Sequence, residues 1–177
     1  MPKSGLKEVY NWCVEGDLAA SWAGIAGEGD TVTETRAQYG DGDATFQAAG
    51  GEAGIRRLVD TFYDIMETSP AYREIWTWHP QDRERSRDKL ARFLCAWTGG
   101  PRLFREKYGP ISIPSAHRHL PVAERHRDQW LNCMAEALER CEYPEELRRY
   151  LLTELSVPAN RIVQACAQSQ TLDDGTP

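Results

Sequence analysis

Nothing in this chain approaches the roughly 20 consecutive apolar residues that cross a bilayer, and no signal-peptide core follows the opening Met1-Pro2-Lys3-Ser4-Gly5-Leu6. A soluble, unexported, cytoplasmic protein with no membrane partner is therefore expected. Basic charge is also short: 21 Lys+Arg against 27 Asp+Glu leave a net charge of −6. The cations are spread along the chain and form no stripe for a phosphate backbone, which argues against nucleic acid as a partner. The five cysteines, Cys13, Cys95, Cys133, Cys141 and Cys166, are odd in number, lack CxxC spacing and sit in or near apolar-periodic stretches. That pattern reads as reduced, mostly buried thiols rather than a disulfide frame or a zinc site. No segment sustains the period-two alternation of a strand, and no internal repeat is present, so the fold class is all-α.

The 177 residues amount to about one domain. Residues 6–26 carry Leu6, Val9, Tyr10, Cys13, Leu18, Trp22 and Ile25 at partly amphipathic spacing, enough for one or two short helices. Residues 27–43 are rich in turn formers, with Gly27-Glu28-Gly29-Asp30 and Gly40-Asp41-Gly42-Asp43, and read as a linker. The Asp-x-Asp pair in it lacks the further ligands and closing Glu of a calcium loop. Residues 1–43 thus form an N-terminal extension.

From Gly50-Gly51 the pattern sharpens. Ile55, Leu58, Val59, Phe62, Ile65 and Met66 fall at three- and four-residue steps, which predicts a helix over about 52–67 that Ser69-Pro70 ends. Leu90, Phe93, Leu94 and Trp97 mark a second helix with an arginine-dense polar side, stopped at Gly99-Gly100-Pro101. Residues 102–108 suit another turn or two, and Pro110 and Pro114 bracket a loop or short helix. A further helix is expected from near Pro121 to about Cys141, with Trp130, Leu131, Met134 and Leu138 on one side. Pro144 suits the first turn of a last helix, which Pro158 should kink or break. The polar residues 168–177 read as a flexible tail.

The stretch Ser115-Ala116-His117-Arg118-His119-Leu120-Pro121 holds two of the four histidines. Taken singly, a His near a helix end, a buried Tyr or a buried Trp is ordinarily packing with its polar tip satisfied. Taken together, one imidazole, a phenol and an indole within apolar helix faces also suit a flat cofactor held between helices, with the imidazole as axial ligand and the other two as donors opposite.

A family resemblance bears on that choice. Gly50-Gly51-Glu52-Ala53-Gly54-Ile55-Arg56-Arg57-Leu58-Val59, Phe62-Tyr63, His79-Pro80-Gln81-Asp82, Lys89-Leu90-Ala91-Arg92-Phe93-Leu94, Trp97-Thr98-Gly99-Gly100-Pro101 and Arg127-Asp128-Gln129-Trp130-Leu131-Asn132-Cys133-Met134 occur in the order and spacing of a group II truncated haemoglobin. The resemblance covers roughly residues 44–166 and implies a haem domain over 44–167, a two-over-two helical sandwich around haem b. For the proximal iron ligand, letters favour His119, since the family usually shows Arg-His-x-Pro-Phe. Ungapped spacing from Gly109 to Trp130 places it on His117, with Ile113 and Leu120 as apolar contacts, and His117 is taken as the ligand.

On the other side the resemblance carries Tyr63 and Trp130 to the ligand-facing donors, and Ser86 and Leu90 to the distal gate and floor. Phe62, Phe93, Leu94 and Met134 would pack on the porphyrin, and Lys89 would reach a propionate. His79 is either a third polar contact or a loop residue capping the next helix. Ala116 and Phe104 depart from the family pattern, which usually has a basic residue and a Tyr there.

The implied function is reversible binding of dioxygen, carbon monoxide, nitric oxide or similar small ligands by a monomer or homodimer. Nitric oxide dioxygenase or peroxidase-type activity would need a separate reductase, since the chain has no flavin or nicotinamide motif. Two other classes stay open. One is a haem-free regulatory or adaptor domain of globin fold. The other is a non-haem metal enzyme using His79, His117, His119 or His126, although these lack i,i+4 metal spacing.

Overall fold

A computed structural model describes residues 38–173, with side chains through residue 170. The helices expected within residues 6–26, the first eleven residues of the linker and Cys13 lie outside the described residues, as do residues 174–177. Among the described residues there are eight α-helices and no strand. They are α1 (Ala44–Ala48), α2 (Gly51–Thr68), α3 (Arg73–Thr77), α4 (Arg83–Trp97), α5 (Leu103–Tyr108), α6 (Ile113–His117), α7 (Glu124–Arg140) and α8 (Glu145–Asp173), with a 3-10 turn over Pro70–Tyr72. None of these helices is long and apolar enough to cross a membrane.

Helix α2 is central because its apolar stripe is wide. Ile55, Leu58, Val59, Phe62, Tyr63, Ile65 and Met66 are all buried, each large side chain stabilising the fold by about 1.5–3 kcal/mol through lost apolar surface. One side of α2 packs on α4 and another on α7, while α7 also packs on α8. The long helices therefore pair as α2 with α4 and α7 with α8. Gly50, at φ 83°, supplies the left-handed residue that starts α2, and Ser69, extended before Pro70, ends it.

The α2–α4 pairing carries an ionic seam on its outer side. Arg56 meets Asp88, Arg87 meets both Asp60 and Asp64, and Arg83 meets Glu67. Partner numbers rise along α2 as they fall along α4, so the helices are antiparallel. Arg87 and Arg92, on the arginine-dense face, are half-buried in ion pairs rather than free in solvent. Asp82 caps α4 by accepting the Arg85 amide at 3.0 Å. Gly99, at φ 95°, lies so close to Gly42 that a Cβ would sit 1.9 Å from that carbonyl oxygen. This approach docks α1 onto the end of α4, where the Phe46 amide donates to the Thr98 carbonyl.

Three expectations need correction. Helix α7 begins at Glu124 rather than near Pro121, because Ala123 is extended and its amide donates to Nδ1 of His126 at 2.9 Å, closing the first turn from inside. Pro158 does not break the last helix: α8 runs unbroken from Glu145 to Asp173. Packing on both sides of the proline outweighs the lost hydrogen bond, with Leu147, Leu151 and Leu155 buried before it and Cys166 after it. Residues 168–173, read as tail, are the end of the same helix, and the Ser169 hydroxyl donates back to the Ala165 carbonyl.

Asp88 fastens three helices. Arg56 of α2, Arg92 of α4, and Lys107 and Tyr108 of α5 all donate to its carboxylate at 2.7–3.0 Å. Burial opposes the charge, but the bonds from Lys107, Tyr108, Arg56 and Arg92 outweigh it and hold this carboxyl well below the usual range. A depressed folded-state value means the stabilisation is complete above the unfolded value near 4 and is lost as pH falls below it. Asp88→Asn is expected to lower the thermal midpoint at pH 7 by roughly 5 °C. It should also flatten the loss of stability below about pH 4, as measured by thermal unfolding across pH.

Candidate functional site

Five aromatic rings from three parts of the chain meet on the inner side of α2. Phe62 lies 5.3 Å from Trp130 of α7, and Tyr63 is edge-on both to Phe62 at 5.3 Å and to His79 at 5.4 Å. Trp76 of α3 stacks on His79 at 5.8 Å. The α-helical step explains the split: neighbours Phe62 and Tyr63 are offset by about 100°, so one faces α7 and the other faces the α3–α4 corner. Leu90 and Phe93 of α4 pack half-buried against the same core, in which Leu94 and Met134 are buried.

The polar groups of this cluster are arranged unevenly. Tyr63 is 5% exposed, yet among the described residues its hydroxyl has no hydrogen-bond partner, and neither has the indole N–H of half-buried Trp130. Neither atom is fully enclosed by protein, so each stays open to an acceptor from outside the chain. Burial pushes the Tyr63 phenol well above its ordinary value, with the Arg87 cation acting in the opposite direction. The phenol therefore keeps its proton throughout the physiological range.

His79 does not cap the following helix; Asp82 does. Its Nδ1 lies 2.8 Å from the Ile75 carbonyl oxygen, and since a carbonyl only accepts, the proton sits on Nδ1. Burial lowers its basicity, the bond to Ile75 opposes this, and the neighbourhood of His117 acts in the same direction as burial. His79 is thus a neutral imidazole at neutral pH, electrostatically coupled to the histidine that α6 presents.

His117 ends α6 and is half-buried, whereas Arg118 and His119 beyond it are exposed. Its Nδ1 lies 2.7 Å from the Ile113 carbonyl oxygen, so Nδ1 carries the proton and Nε2 keeps a lone pair with no partner among the described residues. The backbone is pinned as well: the His117 carbonyl accepts from the Leu120 amide at 2.9 Å and from Sγ of buried Cys166 on α8 at 3.2 Å. Ile113 and Leu120 are half-buried beside it.

Other residues singled out in the sequence stand further from this cluster. The Ser86 hydroxyl donates to the Asp82 carbonyl within α4. Lys89 is exposed, with its ammonium 5.5 Å over the Tyr108 ring. His126 is buried, accepts from Ala123 through Nδ1 and places Nε2 2.9 Å from Glu74, so it ties α7 to α3. Sequence patterning missed Trp76 and Arg87. Trp76 carries no motif, and Arg87 is one arginine among many whose distinction is its three-dimensional partner. Among the described residues no group of three or more His, Cys, Asp or Glu could hold a metal ion. Cys95, Cys133, Cys141 and Cys166 are free thiols.

Comparison with known proteins gives a consistent answer. A family model described as bacterial-like globin matches residues 44–163. The Group 2 truncated hemoglobin YjbI of Bacillus subtilis (strain 168) is 31% identical over 121 residues, covering 68% of this chain and 89% of the relative. Among solved structures, a cold-adapted truncated hemoglobin from the Antarctic marine bacterium Pseudoalteromonas haloplanktis TAC125 superposes with a TM-score of 0.64 at 31% identity, covering 67% of this chain and 96% of the other. A truncated oxygen-avid haemoglobin from Bacillus subtilis superposes with a TM-score of 0.61 at 30% identity, covering 67% and 98%.

The His79 geometry is open to a direct check. Because its folded-state basicity is depressed, protonating it costs the fold some stability, and the cost appears as pH falls below the unfolded value near 6.5. Two-bond ¹H–¹⁵N spectra at pH 6.5 are expected to show His79 neutral with its proton on Nδ1. A charged ring, or the opposite tautomer, contradicts the described geometry.

Proposed function

The chain belongs to the bacterial-like globin family as a truncated haemoglobin of the second group with the two-over-two fold, and from that premise we propose that it binds dioxygen and similar small ligands reversibly at a haem b held by His117. The observation that carries the proposal is the His117 tautomer. With Nδ1–H committed to Ile113, the lone pair on Nε2 is the one an axial metal bond requires. In the aromatic cluster, the hydroxyl of buried Tyr63 and the indole N–H of Trp130 lack acceptors among the described residues. An acceptor-free donor pair, a neutral imidazole, and an apolar wall of Phe62, Leu90, Phe93, Leu94 and Met134 fit a flat apolar cofactor whose ligand carries partial negative charge.

Haem, when bound, would supply an iron that takes up a small ligand. The protein's part follows from its own groups. Ile113, Leu120 and Cys166 fix His117 so that its ring does not have to be ordered on binding. Tyr63 and Trp130 offer preset donors among largely buried aromatic side chains, each stabilising a partially charged ligand by about 1–3 kcal/mol. His79, neutral and close to Tyr63, sets the polarity of the same corner. Ser86 and Leu90 lie on α4 at the positions assigned to the gate and floor, and exposed Lys89, next to Leu90, is the cation offered for a propionate.

This reading assigns the haem domain to the described helices from residue 44 onward and leaves residues 1–43 as an extension. It favours ligand binding by a cytoplasmic monomer or homodimer, in keeping with the free thiols. Nitric oxide dioxygenase or peroxidase-type turnover would draw electrons from a separate reductase. The relative described as oxygen-avid supports dioxygen as the ligand of this reading.

Purified protein reconstituted with haemin is expected to show an intense Soret band that shifts with dithionite and again with carbon monoxide. A flat spectrum would instead support a haem-free regulatory domain. His117→Ala should abolish five-coordinate ferrous haem while His119→Ala leaves it intact; the converse result would move the ligand to His119. Tyr63→Phe should speed dioxygen dissociation about tenfold or more, the loss expected of one hydrogen bond to a charged acceptor, as measured by stopped-flow ligand replacement.

A further inference from the structure

We propose that Arg87 is a positioning residue for Tyr63: seated over the phenol ring and clamped to α2, its guanidinium fixes the ring and strengthens the hydroxyl as a hydrogen-bond donor toward the bound small ligand. The inference rests on the ligand-binding role proposed for this pocket and deepens it. The sequence offers Arg87 only as one of several arginines on a polar face, but its surroundings are unlike those of its neighbours. Arg83 and Arg85 are exposed, while the Arg87 side chain is only 13% exposed.

Both prongs of the guanidinium are engaged. One nitrogen donates to the Asp60 backbone carbonyl at 2.7 Å and lies 3.5 Å from the Asp60 carboxylate; the other reaches the Asp64 carboxylate at 2.6 Å. Asp60 and Asp64 are one helical turn apart on α2 and bracket Tyr63 in sequence. Held this way, the guanidinium carbon lies 5.5 Å from the centre of the Tyr63 ring, within the range over which a cation is attracted to an aromatic face. Phe62 and His79 meet the same ring edge-on, and Trp76 is tilted toward it at 6.3 Å.

With no hydrogen bond to its hydroxyl among the described residues, the orientation of Tyr63 depends on these ring contacts. Arg87 is the only one of the four that brings a formal charge. A cation beside a phenol draws electron density from the ring and makes its O–H a stronger donor. The aspartates do not bury the cation away from the ring: Asp64 is 69% exposed and Asp60 47%, whereas Arg87 is 13% exposed and Tyr63 5%. The opposing influence of Arg87 on the burial-raised Tyr63 phenol has the same sign.

The test uses full-length protein reconstituted with haem. Arg87→Gln is expected to raise the carbonyl stretching frequency of the carbon monoxide complex and to speed dioxygen dissociation about three- to tenfold, the scale of one partly desolvated cation–π contact. Arg87→Lys, which keeps the cation, should recover most of both. In a Tyr63→Phe background Arg87→Gln should change neither, because residues acting through one another are non-additive. An unchanged frequency and rate in Arg87→Gln, or equal changes with and without the Tyr63 hydroxyl, would overturn the proposal. Should Arg87→Gln not fold, Asp60→Asn with Asp64→Asn releases the same clamp and is expected to move both readouts in the same direction; native values would overturn it. If Tyr63→Phe changes the dissociation rate while the Arg87 variants do not, this proposal alone falls. If the protein takes up no haem, the ligand-binding reading falls and this one falls with it.

Discussion

The antiparallel pairing of α2 with α4 is the constraint on which the rest of this molecule depends. It brings one apolar stripe and one ionic seam into register at the same time. The stripe is the buried face of α2, and Ala91 and Leu94 are the buried residues that α4 brings to the same core. The seam, from Arg56–Asp88 to Arg83–Glu67, allows one alignment, because a shift of a single turn would set Arg87 against the wrong carboxylates. Apolar contact supplies most of the driving force, since it scales with buried area and tolerates sliding. The partly buried charges contribute specificity, since they are costly out of register.

From that pairing the aromatic cluster follows by geometry. Once α4 lies along α2, the outward turn of Phe62 meets α7 and the next residue, Tyr63, meets the α3–α4 corner with His79 and Trp76. Helix α8 anchors α6 through the contact between Cys166 and the His117 carbonyl, which places an imidazole with a free Nε2 near His79. Two donors without acceptors and one lone pair without a donor are a cost that a packed core ordinarily avoids. The two donors lie beside one set of aromatic side chains, an arrangement that supports the proposed binding site.

Much of this was legible in the sequence. The spacing of Ile55, Leu58, Phe62 and Met66 predicts α2 almost to its ends, because a helix face repeats every three to four residues and Ser69-Pro70 cannot continue it. The resemblance of ordered motifs to truncated haemoglobins led to the family that the comparisons establish. What resisted reading was anything decided by partners distant in the chain. Pro158 looks like a breaker in isolation, yet α8 continues because both of its halves are packed. The start of α7 depends on a histidine side chain closing onto Ala123, a role that His126 does not advertise by its position. Arg87 and Arg85 are two letters of the same kind in one helix, and only the neighbouring helix distinguishes them.

By itself the sequence determined the helical class, the extents of most helices and the family, because periodicity, turn chemistry and motif order are local properties carried by the residues in line. The tertiary structure alone decided which polar atoms are spent and which are free. His117 rather than His119 is turned inward because α6 packs on α8 and ends there, and the tautomer of His117 follows from a carbonyl one turn back. Tyr63 is an unpartnered donor beneath a clamped cation because α4 crosses α2 at that turn. Hydrogen bonds and fields act over a few ångströms of space, and no spacing along the chain specifies which groups will come that close.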